Sequence, residues 1–230
     1  MNPGQFNLLS TALASGPVSA HRPDLYHPCN GRPGTRRRGK LVIWMHWRGS
    51  PAGTIVNNRV PVFDQSWHEP ARGDGEPMAQ ASADETAAFR AAELAGWQAK
   101  VAAYDRYLSP LTTEIGERLL DAAGVGRSSR VLDIACGPGR TTAAAAGRNA
   151  SVVGVDFSER MIAYAASLFP AIEFRVADAE SLPFADAEFD AVVVNFGVLH
   201  FSRPDCALVE ACRVLRPGAR LAFSLWAGPA

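Results

Sequence analysis

Apolar positions in the second half of the chain follow two periods. Phe89, Trp97, Val101, Tyr104, Leu108, Leu111, Ile115 and Leu119 recur at spacings of mostly three and four, the stripe of a helical face. Ser109-Pro110 interrupts that stripe. Proline disfavours helix at the residue before it and suits the first position of a new helix. The pattern therefore predicts helices over 84–107 and 110–122, the second capped by Ser109 and closed by Gly124 and Gly126. Short apolar runs then alternate with helical stretches. Strands are predicted at 130–135, 151–156, 172–178, 189–196 and 219–226. Helices are predicted at 141–147, 158–169 (with Ser158 as N-cap) and 204–215, and Arg216-Pro217-Gly218 is an exit turn. Strands alternating with helices give a doubly wound α/β fold, a mostly parallel sheet covered on both faces.

Residues 1–77 show no such order. They read as a poorly organised extension holding 9 of the 16 prolines and 4 of the 5 histidines. Residues 40–47 could form one short strand, and 53–63 a weak hairpin about Asn57-Asn58, with Pro61 in its second arm. Trp44, His46, Trp47, Trp67 and His68 lack the acid or thiol that a metal site needs, so no metal is expected. A start of the natural protein at Met78 is a further expectation. The domain reading is thus an extension over 1–77, a helical cap over 78–126 and an α/β core over 127–230.

Composition changes this picture little. Hydrophobic residues make up 47%, enough for a packed core, and the formal net charge is zero. Residues 1–77 carry 9 Lys/Arg against 5 Asp/Glu, and 78–230 carry 14 against 18. A core with a net of −4 gives no electrostatic reason to expect nucleic acid. No apolar run approaches the ~20 residues of a membrane span. Cys29, Cys136, Cys206 and Cys212 form no paired motif and read as reduced thiols of a cytoplasmic protein.

The chemistry is concentrated in "VLDIACGPGRTT" (131–142). Ligands of parallel sheets bind beyond the C-terminal strand ends, so this turn lines a site. Gly137 and Gly139 remove Cβ atoms that would obstruct a ligand. Asp156, ending the second predicted strand, can accept both hydroxyl hydrogens of a ribose, which points to an adenosine-containing ligand. No Lys-Ser/Thr follows the turn, which excludes a P-loop. Thr142 stands where a dinucleotide fingerprint has Gly or Ala. Asp133, just ahead of the turn, suits an ammonium better than a pyrophosphate.

With these residues the chain resembles the class I S-adenosylmethionine-dependent methyltransferases, whose fold is Rossmann-like. "VLDIACGPG" and "VVGVDFS" are matched in order by "VADAESLPFADAEFDAVVVNFGVLHF" (176–201) and "CRVLRPGARLAFSLW" (212–226). "WQAKVAAYDRYLSPLT" (97–112) is similar to the helical cap of small-molecule members, including those of quinone biosynthesis. The resemblance implies S-adenosyl-L-methionine as cofactor, with Asp133, Ala135, Gly137 and Gly139 around its methionine part. It further implies Asp156 on the ribose, Phe157 and Met161 beside the adenine and ribose, and Asp178 with the Ala179 N–H on the adenine. Asn195 would face the methionine end and Tyr104 would close the site. The family often has Gly where this chain has Ala135.

Methyl transfer to a small-molecule acceptor is the implied reaction. His200 is the candidate acceptor-side base, needed only if the acceptor loses a proton. The chain stops four residues after Trp226, whereas the family continues with further strands. Missing C-terminal strands would leave the fifth strand a bare edge, able to self-associate. The alternative reading is a truncated, inactive remnant or a cofactor-binding module without turnover.

Overall fold

The computed structural model describes residues 40–45, 62–64 and 82–226. The elements are β1 (Lys40–Met45), β2 (Val62–Asp64), α1 (Ala83–Tyr107), α2 (Ser109–Ala123), β3 (Arg130–Ile134), α3 (Arg140–Gly147), β4 (Ser151–Asp156), α4 (Glu159–Leu168), β5 (Glu173–Val176), β6 (Phe189–Asn195), α5 (Pro204–Val214) and β7 (Leu215–Leu225). A single 3-10 turn, Val198–His200, follows β6. The strands form one sheet in the order β2-β1-β7-β6-β3-β4-β5. Every pairing is parallel except that of β2 with β1. The doubly wound, mostly parallel, Rossmann-like α/β fold read from the sequence is the fold observed.

The core is what the all-apolar strands require. Val131, Leu132, Ile134, Ala191–Val194 and Leu221–Phe223 are at most 2% exposed. Strands covered on both faces carry apolar residues on both faces. Leu119, Leu120 and Ala123 of α2 close one face by packing on Val131, Ala145, Val193 and Ala222. Full burial of each leucine contributes about 1.5–3 kcal/mol.

The helical stripe divides where proline cuts it. Ile115 and Leu119 of α2 are buried, but α1 has no buried residue at all. Its first turn is fixed instead by a capping box between Ser82 and Glu85. The expected cap at Ser109 is corrected. Ser109 is the first residue of α2, and Leu108 ahead of it keeps near-helical angles without a side-chain cap bond. The chain therefore kinks between α1 and α2 rather than breaking.

Two further expectations change. The outer side of β7 is not a bare edge, because Lys40–Met45 pairs with residues 220–225 in parallel register. Residues 62–64, the second arm of the expected hairpin, pair with β1; its first arm and Asn57-Asn58 lie outside the described residues. Unpaired edge N–H and C=O groups favour such an added strand. The expectation of self-association through that edge loses its basis here. The aromatic and histidine positions 46, 47, 67 and 68 and the proposed start at Met78 also lie outside the described residues. Cys136 and Cys212 are free thiols, and Cys29 lies outside the described residues.

Two buried glutamates fasten the loop after β5 to α5. Glu180 accepts from Ser202 Oγ (2.5 Å), the Arg203 backbone N–H (2.7 Å) and Arg203 Nε (2.8 Å). Glu210 accepts from the Leu182 N–H (2.8 Å) and Arg213 Nε (2.7 Å). The Arg213 contact is local to α5, but the bonds to Ser202, Arg203 and Leu182 join residues more than twenty positions apart and have no local sequence signal.

Candidate active site

The site is built where β3 and β4 end. Beyond Ile134 the chain enters a turn in which Ala135, Gly137 and Gly139 all have positive φ (55°, 51° and 78°). The Cys136 N–H donates to the Val155 carbonyl (2.9 Å), stitching the turn to β4, and the Gly139 N–H donates to the Cys136 carbonyl (2.9 Å). The two expected glycines serve different ends. A Cβ on Gly137 would meet nothing within 4 Å, so this residue borders open space. A Cβ on Gly139 would lie 2.7 Å from the Phe174 ring and 3.2 Å from Ala165. Gly139 thus allows packing against β5 and α4.

Asp156, at the tip of β4, points across at the turn. Its Oδ2 accepts the Gly137 N–H and its Oδ1 the Ser158 N–H, both at 2.9 Å. Asp133 is 1% exposed. Its Oδ2 accepts from Thr142 Oγ1 (2.6 Å), while its Oδ1 has no partner. Burial pushes the Asp133 carboxyl up to about 7, with the Thr142 hydroxyl opposing and the Asp156 charge adding. Burial likewise pushes Asp156 up to about 6, against the backbone N–H groups that favour its charge. A buried polar atom without a partner costs about 1–3 kcal/mol, so Asp133 Oδ1 marks a place for a donor.

Asp133, Ala135, Gly137, Tyr104 and Asn195 line one cavity of about 30 Å³, together with Thr112, Thr141 and Arg140. That volume suits a water, not a nucleoside. Asn195 donates its amide to the Thr112 carbonyl (2.8 Å) and Thr141 Oγ1 (3.1 Å), and its Oδ1 accepts from Ser224 Oγ (2.8 Å). It ties β6 to α2, α3 and β7 while facing the cavity. Gly116 permits this approach, since a Cβ there would fall 2.5 Å from Thr141 Oγ1.

Helix α1 closes the cavity through polar contacts. Arg140 Nε and Nη2 donate to both oxygens of Asp105 (2.9 and 2.8 Å), and the Tyr164 hydroxyl donates to Asp105 Oδ2 (3.1 Å). Arg90 pairs with Asp178 (2.5 Å). Burial raises the Tyr104 hydroxyl above its ordinary value, with the Asp156 and Asp133 charges adding and Thr112 opposing.

The remaining expected site residues lie away from the cavity lining. Phe157 is half-buried and Met161 is 3% exposed on α4. Asp178 Oδ1 accepts the Glu180 N–H (3.0 Å), and Ala179 beside it is buried. His200 reaches the cavity only through aromatic neighbours: its ring lies 4.8 Å from Trp97, which lies 5.4 Å from Tyr104. Sequence reasoning passed over Thr112, Arg140, Thr141 and Glu93. Only the Thr141-Thr142 pair following the turn offered a local signal. Among the described residues no cluster of metal-ligating side chains occurs, and no helix is long and apolar enough to cross a membrane.

Part of the chain is similar to known proteins. Residues 132–223 match the family described as a methyltransferase domain. A demethylmenaquinone methyltransferase of Renibacterium salmoninarum is 39% identical over 111 residues, covering 48% of this chain and 47% of that one. The demethylmenaquinone methyltransferase of Beutenbergia cavernae is 42% identical over 110 residues (48% and 46%). The O-methyltransferase cnsE of Penicillium expansum is 38% identical over 121 residues (50% and 42%). The chain thus spans about half the length of the curated relatives it matches. A solved complex between the Haloferax volcanii Trm112 methyltransferase activator and a candidate methyltransferase shares the fold, with a TM-score of 0.51 at 24% identity (54% and 57%).

Proposed function

We propose, from the match of residues 132–223 to the family described as a methyltransferase domain, that this chain binds S-adenosyl-L-methionine and transfers its methyl group to a small-molecule acceptor. The observation that carries this reading is the buried, partnerless Oδ1 of Asp133 beside the open flank of Gly137. An α-ammonium supplies the donor that this oxygen lacks, and the missing Cβ leaves room for the methionine chain. The residues present therefore fit the cofactor.

In this reading Asp133 binds the ammonium, and Ala135, Gly137 and Asn195 border the methionine part. Asp156 presents its remaining lone pairs to the ribose hydroxyls, held in place by the Gly137 and Ser158 N–H groups. Phe157 and Met161 pack near the adenine and ribose, and Asp178 with the Ala179 N–H receives the adenine. Tyr104 covers the site from α1. Gly139 borders the methionine part through its backbone, while its missing Cβ lets the turn seat against Phe174. Residues 78–126 then serve as a cap and 127–230 as the cofactor core. The bound cofactor supplies a methyl on a sulfonium, already a good leaving group. The protein's task is alignment and exclusion of water. Because the cavity under α1 is water-sized, α1 opens to admit the cofactor and settles back over a widened cavity with Tyr104 and its His200 contacts re-formed, a motion that its lack of buried residues permits.

Titration calorimetry with S-adenosylhomocysteine tests the reading. Binding is expected, weakened at least tenfold by Asp133→Ala or Asp156→Ala. No heat with that ligand, together with binding of NADH, would replace the methyltransferase with a dehydrogenase.

A further inference from the structure

Three side chains outside the cavity lining form a connected set between α1 and the turn after β6. Glu93 and Trp97 lie one turn apart on α1. Glu93 Oε2 accepts from Trp97 Nε1 (2.9 Å) and also lies 2.9 Å from His200 Nδ1. Trp97 packs edge-to-face on both the His200 ring and the Tyr104 ring, and Tyr104 lines the cavity. Glu93 and His200 are half-buried, 25% and 33% exposed.

The hydrogen bonds decide the tautomer. Indole N–H only donates, and an ionised carboxylate only accepts. The oxygen that Trp97 and His200 share is therefore an acceptor to both. In the neutral imidazole this contact places the proton on Nδ1 and leaves the lone pair on Nε2. A carboxylate behind an imidazole is the arrangement that fixes tautomer and ring orientation and stabilises the imidazolium once a proton arrives.

Resting on the methyltransferase reading above, we infer that Glu93 is a positioning residue that holds His200 as the base for a hydroxylated, planar acceptor seated against Trp97 and Tyr104. The acceptor's hydroxyl proton passes to His200 Nε2 as an oxygen lone pair forms the bond to the methyl carbon. The carbon–sulfur bond breaks with its electron pair going to sulfur, turning the sulfonium into a neutral thioether. The positive charge moves to the imidazole, where Glu93 faces it. An acceptor with no proton to lose gains nothing from this pair.

The test is long-range ¹H–¹⁵N NMR of the full chain saturated with S-adenosylhomocysteine, the His200 signal being assigned by its loss in His200→Gln. The wild type is expected to show the Nδ1–H tautomer. Glu93→Ala, which places the best helix former on a helix, is expected to shift it toward the Nε2–H form that free imidazole prefers. Glu93→Asp should restore part of the Nδ1–H signal. With 1-naphthol as probe acceptor, Glu93→Ala should lower kcat about 10–100-fold, as loss of an orienting partner does, with the KM for cofactor within about twofold. An unchanged tautomer in Glu93→Ala would reduce the contact to a latch for α1 and overturn the inference. A chain that binds S-adenosylhomocysteine but leaves 1-naphthol unmethylated would overturn the acceptor class. Failure to bind S-adenosylhomocysteine would instead remove the cofactor reading, with the tautomer read separately on the free chain.

Discussion

If Asp133 receives an ammonium, cofactor affinity must depend on pH in a direction the structure fixes. The perturbation is pH itself, with Asp133→Asn as control. Burial holds the Asp133 carboxyl at about 7 in the free protein. Only its ionised form pairs well with a cation, so about 9% of the sites are competent at pH 6 and about 91% at pH 8. Affinity for S-adenosylhomocysteine should therefore rise about tenfold over that range. Asp156, pushed up to about 6, steepens the dependence below pH 6. Calorimetry in two buffers of different ionisation enthalpy should show about one proton released at pH 6 and almost none at pH 8. The stability of the free chain should run the other way. The folded value of Asp133 lies above its ordinary 3.8, so its contribution is fully present below about pH 4. It is lost as pH rises through 7, at a cost of about 4 kcal/mol on full ionisation. A flat affinity in the wild type, or the same slope in Asp133→Asn, would refute an ammonium at Asp133.

Three further outcomes follow from the packing. Gly139→Ala puts a Cβ on the Phe174 ring at a left-handed backbone position, and should cost about 1–3 kcal/mol in denaturant unfolding; unaltered stability would show that the turn seats otherwise. Glu180→Ala leaves Arg203 and two further donors without their buried acceptor, and should cost about 1–3 kcal/mol by thermal unfolding; a loss below about 0.5 kcal/mol would count against the clamp. Arg140→Ala removes both bonds to Asp105, so amide exchange across residues 83–107 should quicken while β3 and β6 stay protected. Equal protection in the variant would show that α1 is held by something other than this pair.

Much of the fold was written locally. Apolar strands such as Val131–Ile134 and Ala191–Val194 can be satisfied only inside a parallel sheet covered on both faces. Ser158 caps α4 as its position implies, its hydroxyl accepting the Met161 N–H at 3.3 Å. The site was legible to the same depth at Asp133, Gly137 and Asp156, because a strand end followed by a glycine turn is a local pattern. The missed features are all pairings at long separation. Glu93 meets His200 across 107 positions, and Arg140 meets Asp105 across 35. Lys40–Met45 joins residues 220–225 although nothing near either segment announces it.

Sequence by itself determined the alternation of strands and helices, the turn beyond β3 and the acids at the strand tips, since each follows from neighbours a few residues apart. The tertiary structure alone decided that a Cβ on Gly139 would meet Phe174, that one oxygen of Asp133 is left without a partner, and that α1 rests on charges instead of a core. Those outcomes depend on which distant surfaces meet and how much water they exclude, quantities that exist only once the chain has closed on itself.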